Sequence, residues 1–232
     1  MPTPPQLNRP PSTGVFLVTG TDTGVGKTVL TALLVRRLRA RGVPCLAVKP
    51  VGSGGRGDAR VLLEAQGNPV PLDAVNPWHF PLALTPCMAA RRAGRPLPWS
   101  EVRPFLRSLR QRDRILLVEG AGGLLSPLGE DFDNRTMLRE LRAIPVVAVA
   151  NRLGCLNHAL LTWEALGPAR RRARVVLMNP ARPDAVSRSN LECLEERLGG
   201  DRVMALPWLP RGGEAPLTPR LGRVLDQVLG FA

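Results

Sequence analysis

The sequence predicts an α/β protein built on a single doubly wound, mainly parallel sheet with helices on both faces. Short apolar runs alternate with helical segments along the chain, and this alternation favours parallel strands joined by right-handed crossovers. The runs are almost wholly apolar, as expected of strands that are covered on both faces. Because no repeat or linker follows Gly14, we expect one domain at residues 15–232 behind a disordered, proline-rich tail at residues 1–14.

Six apolar segments are predicted to be the strands of this sheet. They are residues 15–19, 45–49, 114–119, 145–150, 174–178 and 203–206. Each contains β-branched or leucine side chains and is bounded by glycine, proline or charged residues.

Three predicted helices have recognisable ends. A stripe of leucines at helical spacing marks a helix over residues 27–41, and Gly42 ends it. Ser187 is the predicted N-cap of a helix that continues to residue 198. Thr218 followed by Pro219 is typical of an N-cap with proline at the first helical position, so the last helix is expected to begin there.

The strong positive charge has two interpretations. The chain has 32 Lys and Arg residues against 19 Asp and Glu, a net charge of +13, which by itself suggests nucleic acid or an anionic surface as a partner. The arginines lie in separate regions, however, and aromatic residues make up 4% of the chain with no tyrosine to stack on bases. We interpret the charge as a solvated, arginine-rich surface and expect no nucleic-acid partner.

The cysteines and the hydropathy pattern favour a cytoplasmic protein. Cys45, Cys87, Cys155 and Cys193 are scattered, without a CxxC pair, and only two histidines could complete a zinc site. The first residues lack the apolar core of a signal peptide, and no later run is long enough to span a bilayer. We therefore expect a reducing compartment and no membrane partner.

Lysine is nearly absent from the chain, and its two occurrences are informative. Of the 32 basic residues only Lys27 and Lys49 are lysines, and both follow a predicted strand beside glycines. A compact ammonium group fits between phosphate oxygens where a planar guanidinium group is too broad. These two positions are therefore predicted to be sites where arginine cannot replace lysine.

The segment Val-Thr-Gly-Thr-Asp-Thr-Gly-Val-Gly-Lys-Thr at residues 18–28 lies between the first strand and the first helix. It predicts a nucleoside triphosphate site, with backbone N–H groups of residues 24–28 around a phosphate, Lys27 on the β and γ oxygens and Thr28 on Mg²⁺. The spacing departs from the strict motif, since the glycine is Gly20 and the expected position is Thr21. A plain glycine-rich turn is the alternative.

Two carboxylates are candidate Mg²⁺ ligands. Glu119 ends the most hydrophobic strand and precedes Gly-Ala-Gly-Gly, which places it on the edge where α/β sheets bind ligands. A helix cap or a surface acid is the other interpretation of Glu119. Asp58 is either a second metal ligand or the N-cap of the helix that follows it.

The segment 52–57 also fits the pattern GxGxxG after a strand, with Asp73 at about the distance expected of a ribose ligand. This match is weak, because the following helix is short and a better phosphate loop is present.

Four segments in order resemble the dethiobiotin synthetase family. They are the phosphate loop at residues 18–28, Lys-Pro-Val-Gly-Ser-Gly at 49–54, Val-Glu-Gly-Ala-Gly-Gly at 118–123 and Leu-Gly-Cys-Leu-Asn-His-Ala-Leu-Leu-Thr at 153–162. The resemblance extends over residues 15–214. The extra residue in the phosphate loop is also typical of that family.

The resemblance implies an ATP- and Mg²⁺-dependent ligase of biotin synthesis. The diamine 7,8-diaminopelargonate captures CO₂ as a carbamate, the carbamate attacks the γ-phosphate of ATP, and the second amine closes the ring. By the same match the enzyme is a homodimer whose substrate site lies at the subunit interface. The substrate carboxylate is received at the start of the helix opened by Gly154, and Asn179 reads the adenine edge.

The residues implied by the resemblance fall into four groups. The catalytic residues are Lys27, Lys49 and Thr23. The ATP-binding residues are Gly24, Val25, Gly26, Lys27, Thr28, Val29, Asp58, Glu119, Gly120, Ala121, Gly122, Asn179, Pro207, Trp208, Leu209 and Glu214. The substrate-binding residues are Ser53, Cys155, Leu156 and Asn157. The metal ligands are Thr28, Asp58 and Glu119.

Two other classes of P-loop protein are the alternatives. A partition or cell-division ATPase switch has a signature lysine five residues before the loop lysine, and this chain has Asp22 there. A glutamine-dependent amidotransferase of the cobyrinate type needs an added glutaminase domain, for which no segment is predicted. The ATPase switch is the alternative function.

Overall fold

The computed structural model describes residues 14–67, 70–209 and 216–231. In chain order its strands are β1 (Gly14–Gly20), β2 (Cys45–Val48), β3 (Val51–Ser53), β4 (Trp78–Phe80), β5 (Ile115–Glu119), β6 (Ile144–Ala150), β7 (Arg174–Met178) and β8 (Val203–Leu206). The α-helices are α1 (Lys27–Ala40), α2 (Gly57–Gln66), α3 (Leu72–Val75), α4 (Pro86–Arg92), α5 (Trp99–Ser108), α6 (Asn134–Leu141), α7 (Cys155–Ala165), α8 (Ala185–Leu198) and α9 (Pro219–Leu229), with a 3₁₀ turn at Gly167–Arg172.

Six strands form one parallel sheet in the order β2-β5-β1-β6-β7-β8. The α/β fold class and the six predicted strands are confirmed, with ends that differ by at most one residue. After β1 the chain first forms β2 and β5 on one side of that strand. It then forms β6, β7 and β8 on the other side. The sheet therefore has its topological switch point beside β1, and parallel α/β sheets bind ligands at the carboxyl edge of that point.

A second, two-stranded parallel sheet of β3 and β4 was not predicted. Each strand has only three residues, which is too short for a hydrophobic period to be recognised. β3 follows β2 and carries the chain from Lys49 toward α2, while β4 comes after α3 and pairs with β3.

Two apolar layers cover the sheet, as the alternation of side chains along β1 requires. Phe16 and Val18 face the layer that contains α1, α2 and α9, while Val15 and Leu17 face the layer that contains α5, α6, α7 and α8. The predicted leucine stripe of α1 is completely buried; its members are Leu30, Leu33, Leu34 and Leu38.

The helix ends follow the sequence with one correction. The last helix has Thr218 as its N-cap and Pro219 at its first position, as predicted. The prediction of Ser187 as an N-cap was wrong, because the cap is Asp184, three residues earlier, and α8 begins at Ala185. Asp184 and Ser187 form a reciprocal capping box, in which the Ser187 N–H donates to Asp184 at 2.8 Å. Both residue types favour this position, and only the backbone path distinguishes them.

Two arginines at the C-terminal end of α1 form hydrogen bonds within the protein, although the sequence predicted a solvated arginine surface. Arg37 donates through Nε to Asp226 on α9 at 2.8 Å, and Arg41 donates to the same carboxylate at 2.9 Å. These bonds join the helix that follows the phosphate loop to the last helix.

The predicted tail lies almost wholly outside the described residues, and Gly14 already belongs to β1. Within residues 14–67, 70–209 and 216–231, no helix combines the length and the apolar character that crossing a bilayer requires.

Candidate active site

The loop between β1 and α1 lies at the switch point of the sheet. Gly26 caps α1 with φ of 100°, a left-handed conformation that side chains rarely adopt. A Cβ atom at Gly26 would also approach the Met178 side chain to 3.0 Å. The loop therefore needs glycine directly before Lys27, and the free N–H groups of the first helical turn face the space in front of it.

Lys27 is held inside this loop. Its side chain is buried, with 7% exposed, and Nζ donates to the Asp22 carbonyl oxygen at 2.7 Å. Burial, together with the positive charge of Lys49, lowers the pKa of Lys27 to about 8, against the opposing effects of Glu119, Asp58 and Asp22. An anion bound in the loop would oppose both effects and raise the pKa of Lys27 again.

Glu119 is completely buried at the end of β5. One oxygen, Oε1, accepts hydrogen bonds from the Thr28 hydroxyl at 2.9 Å and from Lys49 Nζ at 2.9 Å. The other oxygen, Oε2, is buried and has no hydrogen-bond partner in the described part of the chain. The surface-acid and helix-cap interpretations of Glu119 are therefore wrong, and an unpartnered carboxylate oxygen remains for a ligand.

Lys49 joins the two candidate carboxylates. Besides Glu119, its Nζ donates to Oδ2 of Asp58. Burial opposes the charged form of Lys49, but the charges and hydrogen bonds of Glu119 and Asp58 outweigh it and raise the pKa. In the same way, burial of Asp58 is outweighed by Lys49, by the Thr28 hydroxyl and by Lys27, so the pKa of Asp58 is lowered.

Asp58 is not the N-cap of α2. The cap is Arg56, and Asp58 is the second residue of the helix. The GxGxxG segment is not arranged as in a dinucleotide-binding fold. The strand at its start, β3, lies outside the central sheet, and Asp73 forms an ion pair with Arg56 at 2.7 Å.

The donor set of this cluster fits Mg²⁺. Glu119, Asp58 and the Thr28 hydroxyl supply oxygen atoms only, which a hard divalent cation prefers. The unpartnered Oε2 of Glu119 is the observation that makes the fit specific.

A cavity of about 510 Å³ lies at the ends of β7 and β8. Three of the predicted ATP-binding residues contribute to its wall, Asn179, Pro207 and Trp208. Leu209 follows directly in the chain and is partly buried, and Glu214 lies outside the described residues.

Thr23 and Ser53, two of the residues expected near the substrate, lie on different segments, the loop after β1 and the strand β3. Thr23 is exposed, and its N–H donates to the Asp22 carboxylate at 2.7 Å. The Ser53 hydroxyl donates to the Leu84 carbonyl oxygen at 2.5 Å. Among the expected residues Thr23 and Ser53 are therefore already engaged by neighbours in the protein.

The helix α7 begins at Cys155, after Gly154 in a left-handed conformation. Leu156 and Asn157 follow in its first turn, whose N–H groups have no acceptor one turn earlier in the helix. The Cys155 N–H, in contrast, donates to the Arg152 carbonyl oxygen at 3.1 Å, and its thiol is buried. An anion at this helix would be received by Leu156 and Asn157.

Comparison with solved structures supports the fold. The MinD cell division protein of Aquifex aeolicus superposes with a TM-score of 0.54 over 93% of this chain and 94% of its own, at 15% identity. The pNOB8 ParA protein bound to nonspecific DNA superposes with a TM-score of 0.52 over 94% of each chain, also at 15% identity. At such identities the likeness shows a P-loop NTPase fold alone.

Comparison with curated sequences gives the family. A family profile described as an AAA domain matches residues 15–215. The ATP-dependent dethiobiotin synthetase BioD of Xylella fastidiosa strain Temecula1 is 36% identical over 89% of this chain and 96% of its own length. The protein of the same name from Xanthomonas oryzae pv. oryzae strain PXO99A is 35% identical over 84% of this chain and 91% of its own. The chain belongs to the dethiobiotin synthetase family.

Asn134, which the sequence analysis missed, shapes the glycine loop of this synthetase. Its side chain is completely buried and donates to the carbonyl oxygens of Ala121 at 2.9 Å and Gly123 at 2.6 Å. A Cβ atom at Gly120 would lie 2.1 Å from the Asn134 side-chain oxygen. The segment after Glu119 is therefore held by a polar side chain from α6, and no local motif marks that residue.

Replacement of Gly120 by alanine tests this packing. Because the new methyl group collides with a buried amide, we expect Gly120→Ala to lower the free energy of unfolding by about 2 kcal/mol and to reduce nucleotide binding. Urea denaturation and equilibrium nucleotide titration measure the two effects.

Gly55→Ala is the matched control, since nothing lies within 4 Å of a Cβ atom there. It is expected to leave the free energy of unfolding within about 0.5 kcal/mol. Equal stability of the two variants would contradict the described role of Asn134.

Proposed function

We propose that this chain joins CO₂ to 7,8-diaminopelargonate and closes the ureido ring of dethiobiotin, with conversion of ATP to ADP and phosphate. Membership of the dethiobiotin synthetase family over most of the chain supports the overall reaction. The Glu119 cluster supports the proposed location of the reaction, because Lys49 and the phosphate-loop residue Thr28 both donate hydrogen bonds to this buried carboxylate.

The reaction proceeds through three bond changes. One amine attacks CO₂, and an N–C bond forms with loss of a proton to give a carbamate. A carbamate oxygen then bonds to the γ-phosphorus while the bond to ADP breaks. The second amine attacks the carbamate carbon, the C–O bond to phosphate breaks, and the ring closes with loss of phosphate and a proton.

Lys27 and the loop bind the phosphates. The N–H groups of residues 24–28 surround a phosphate at the start of α1, as helix N-termini commonly do. A phosphate oxygen replaces the Asp22 carbonyl as the acceptor for Lys27 Nζ. Val29 and the glycine loop after Glu119 complete this end of the site.

Mg²⁺ is held by the Thr28 hydroxyl, Glu119 and Asp58. When bound, it neutralises charge on the phosphate oxygens, which is its usual contribution to phosphoryl transfer.

Lys49 acts between the carbamate and the γ-phosphate. Its buried ammonium group is kept charged by two carboxylates, so it can stabilise negative charge that develops on the transferred group. The backbone of Gly52 lies beside the Lys49 side chain, since a Cβ atom there would be 3.8 Å from Cε. Ser53 and Thr23 accordingly belong to the carbamate and substrate end.

The base occupies the cavity lined by Asn179, Pro207 and Trp208. The substrate carboxylate is received by Leu156 and Asn157 at the start of α7 of a second subunit, so the working form is a homodimer. Exposed leucines support this assembly: Leu125 and Leu161 lie with the phosphate-loop residues Thr21 and Asp22 around a recess of about 450 Å³. Four free cysteines are compatible with a reducing cytoplasm.

The reaction is tested by incubating the purified chain with Mg-ATP, bicarbonate and 7,8-diaminopelargonate. Mass spectrometry follows dethiobiotin, and a coupled assay follows phosphate. We expect dethiobiotin and phosphate in equal amounts. Phosphate release that does not respond to the diamine, with no dethiobiotin, would contradict the proposal and favour an ATPase switch.

Lys49→Arg tests the role of the ammonium group. The substitution keeps the charge, but a guanidinium group is too broad for a buried position between two carboxylates and a phosphate. We expect turnover to fall by at least about a thousandfold while ATP affinity changes by less than about threefold. Single-turnover kinetics and calorimetric ATP titration measure the two effects.

Arg170→Lys is the control for this exchange, because Arg170 forms an exposed ion pair with Glu164 and should tolerate lysine. Near-normal turnover in Lys49→Arg would remove the role assigned to Lys49.

Leu161→Glu tests the homodimer. A carboxylate on each copy at an apolar contact is expected to produce monomers and to abolish turnover, with ATP binding retained. Light scattering after size-exclusion chromatography measures the mass. Gln111→Glu, at an exposed site near the opposite edge of the sheet, should remain dimeric. A dimer with normal turnover in Leu161→Glu would place the interface elsewhere.

A further inference from the structure

A chain of buried amides lies behind the wall of the base cavity. Asn151 follows β6, Asn190 lies on α8, and both residues are only 4% exposed. Asn151 does not line the cavity, whereas Asn179 does. Asn151 Nδ2 donates to Asn179 Oδ1 at 2.8 Å, which connects the buried pair to the cavity wall.

The direction of these hydrogen bonds is fixed by main-chain carbonyl groups, which can only accept. Asn151 Nδ2 lies 2.9 Å from the Ser187 carbonyl oxygen, so the NH₂ end of Asn151 must face α8. Asn190 Nδ2 donates to the Asn151 side-chain oxygen at 2.9 Å and to the Arg152 carbonyl oxygen at 3.3 Å. Rotation of the Asn151 amide would place oxygen against oxygen and nitrogen against nitrogen at once.

This arrangement determines the orientation of Asn179. Because Asn151 presents an N–H, the amide oxygen of Asn179 must face it, and the rotated form would bring two donors together. Asn179 therefore offers the cavity its NH₂ group and the second lone pair of its oxygen. The main chain holds the position as well, since the Asn179 N–H donates to the Leu206 carbonyl oxygen at 3.1 Å.

An amide with this orientation distinguishes purines by the group at position 6. Adenine presents an acceptor at N7 beside the 6-amino donor, which matches an NH₂ group and a free oxygen lone pair. Hypoxanthine and guanine present two acceptors on the same edge, so their 6-oxo group would face the Asn179 oxygen. A freely rotating amide could turn its NH₂ group toward that oxo group, but one held by Asn151 cannot.

We propose that Asn151 is a positioning residue that makes the synthetase select 6-aminopurine nucleotides, by fixing the amide of Asn179. The inference rests on the proposed function, in which the cavity receives the base of the nucleotide. It assigns selectivity to a residue that touches neither nucleotide nor substrate.

The test compares ATP with ITP, which differs only in carrying a 6-oxo group and a proton on the ring. Asn151→Ser is the first variant, because a hydroxyl both donates and accepts and so imposes no direction on Asn179. We expect the ratio of kcat/KM for ATP to that for ITP to fall about tenfold, through a loss for ATP and a gain for ITP. A defect in folding would lower both values together and leave their ratio unchanged.

Two further variants make the test specific. Asn190→Ala removes an equally buried amide from the same network, yet the Ser187 carbonyl still fixes Asn151, so the ratio should remain within about twofold of the unaltered protein. In an Asn179→Ala background, Asn151→Ser should not change the ratio further. If Asn151→Ser does not fold, Asn151→Ala is used in the same comparison.

Calorimetric affinities for ATP and ITP are measured alongside, so that the inference is tested even if no dethiobiotin forms. The inference is supported if the unaltered protein binds ATP more tightly than ITP and if this preference is smaller in Asn151→Ser. This holds whatever the outcome of the product assay. Equal affinity of the unaltered protein for ATP and ITP, or an unchanged ratio in a folded Asn151 variant, would overturn it.

Discussion

The site depends on one buried carboxylate. Glu119 is completely enclosed at the carboxyl end of β5, where an isolated charge would be strongly destabilising. Lys49 from the end of β2 and Thr28 from α1 converge on one of its oxygens, so three segments far apart in the sequence are held together at this point. The second oxygen has no partner in the described chain, and we propose that it binds the metal.

The order of the strands is what brings these groups together. With β5 between β2 and β1, the residues after all three strands share one edge of the sheet, and the phosphate loop lies beside them. The cavity in which we propose that the base binds lies at the other half of the same edge, after β7 and β8. One parallel sheet thus places both ends of the proposed nucleotide site along one edge, as doubly wound folds commonly do.

Local patterns predicted more of the fold than of the contacts. The six strands were recognisable because both faces are covered and the runs are nearly all apolar, whereas the three-residue strands β3 and β4 were not. The phosphate loop was recognisable because its glycines and Lys27 are contiguous. The bridging of Asp58 and Glu119 by Lys49, and the buried amides of Asn134 and Asn151, depend on strand order and helix packing, which no local spacing encodes.

The central claim is that Glu119 holds a divalent cation beside the phosphate loop. The most direct measurement is Mn²⁺ binding, followed by electron paramagnetic resonance, to the chain with a non-hydrolysable ATP analogue. Glu119→Gln should weaken Mn²⁺ binding by at least about tenfold, while Glu64→Gln, an exposed acid on α2, should not change it. Unaltered Mn²⁺ affinity in a folded Glu119→Gln variant would contradict the account.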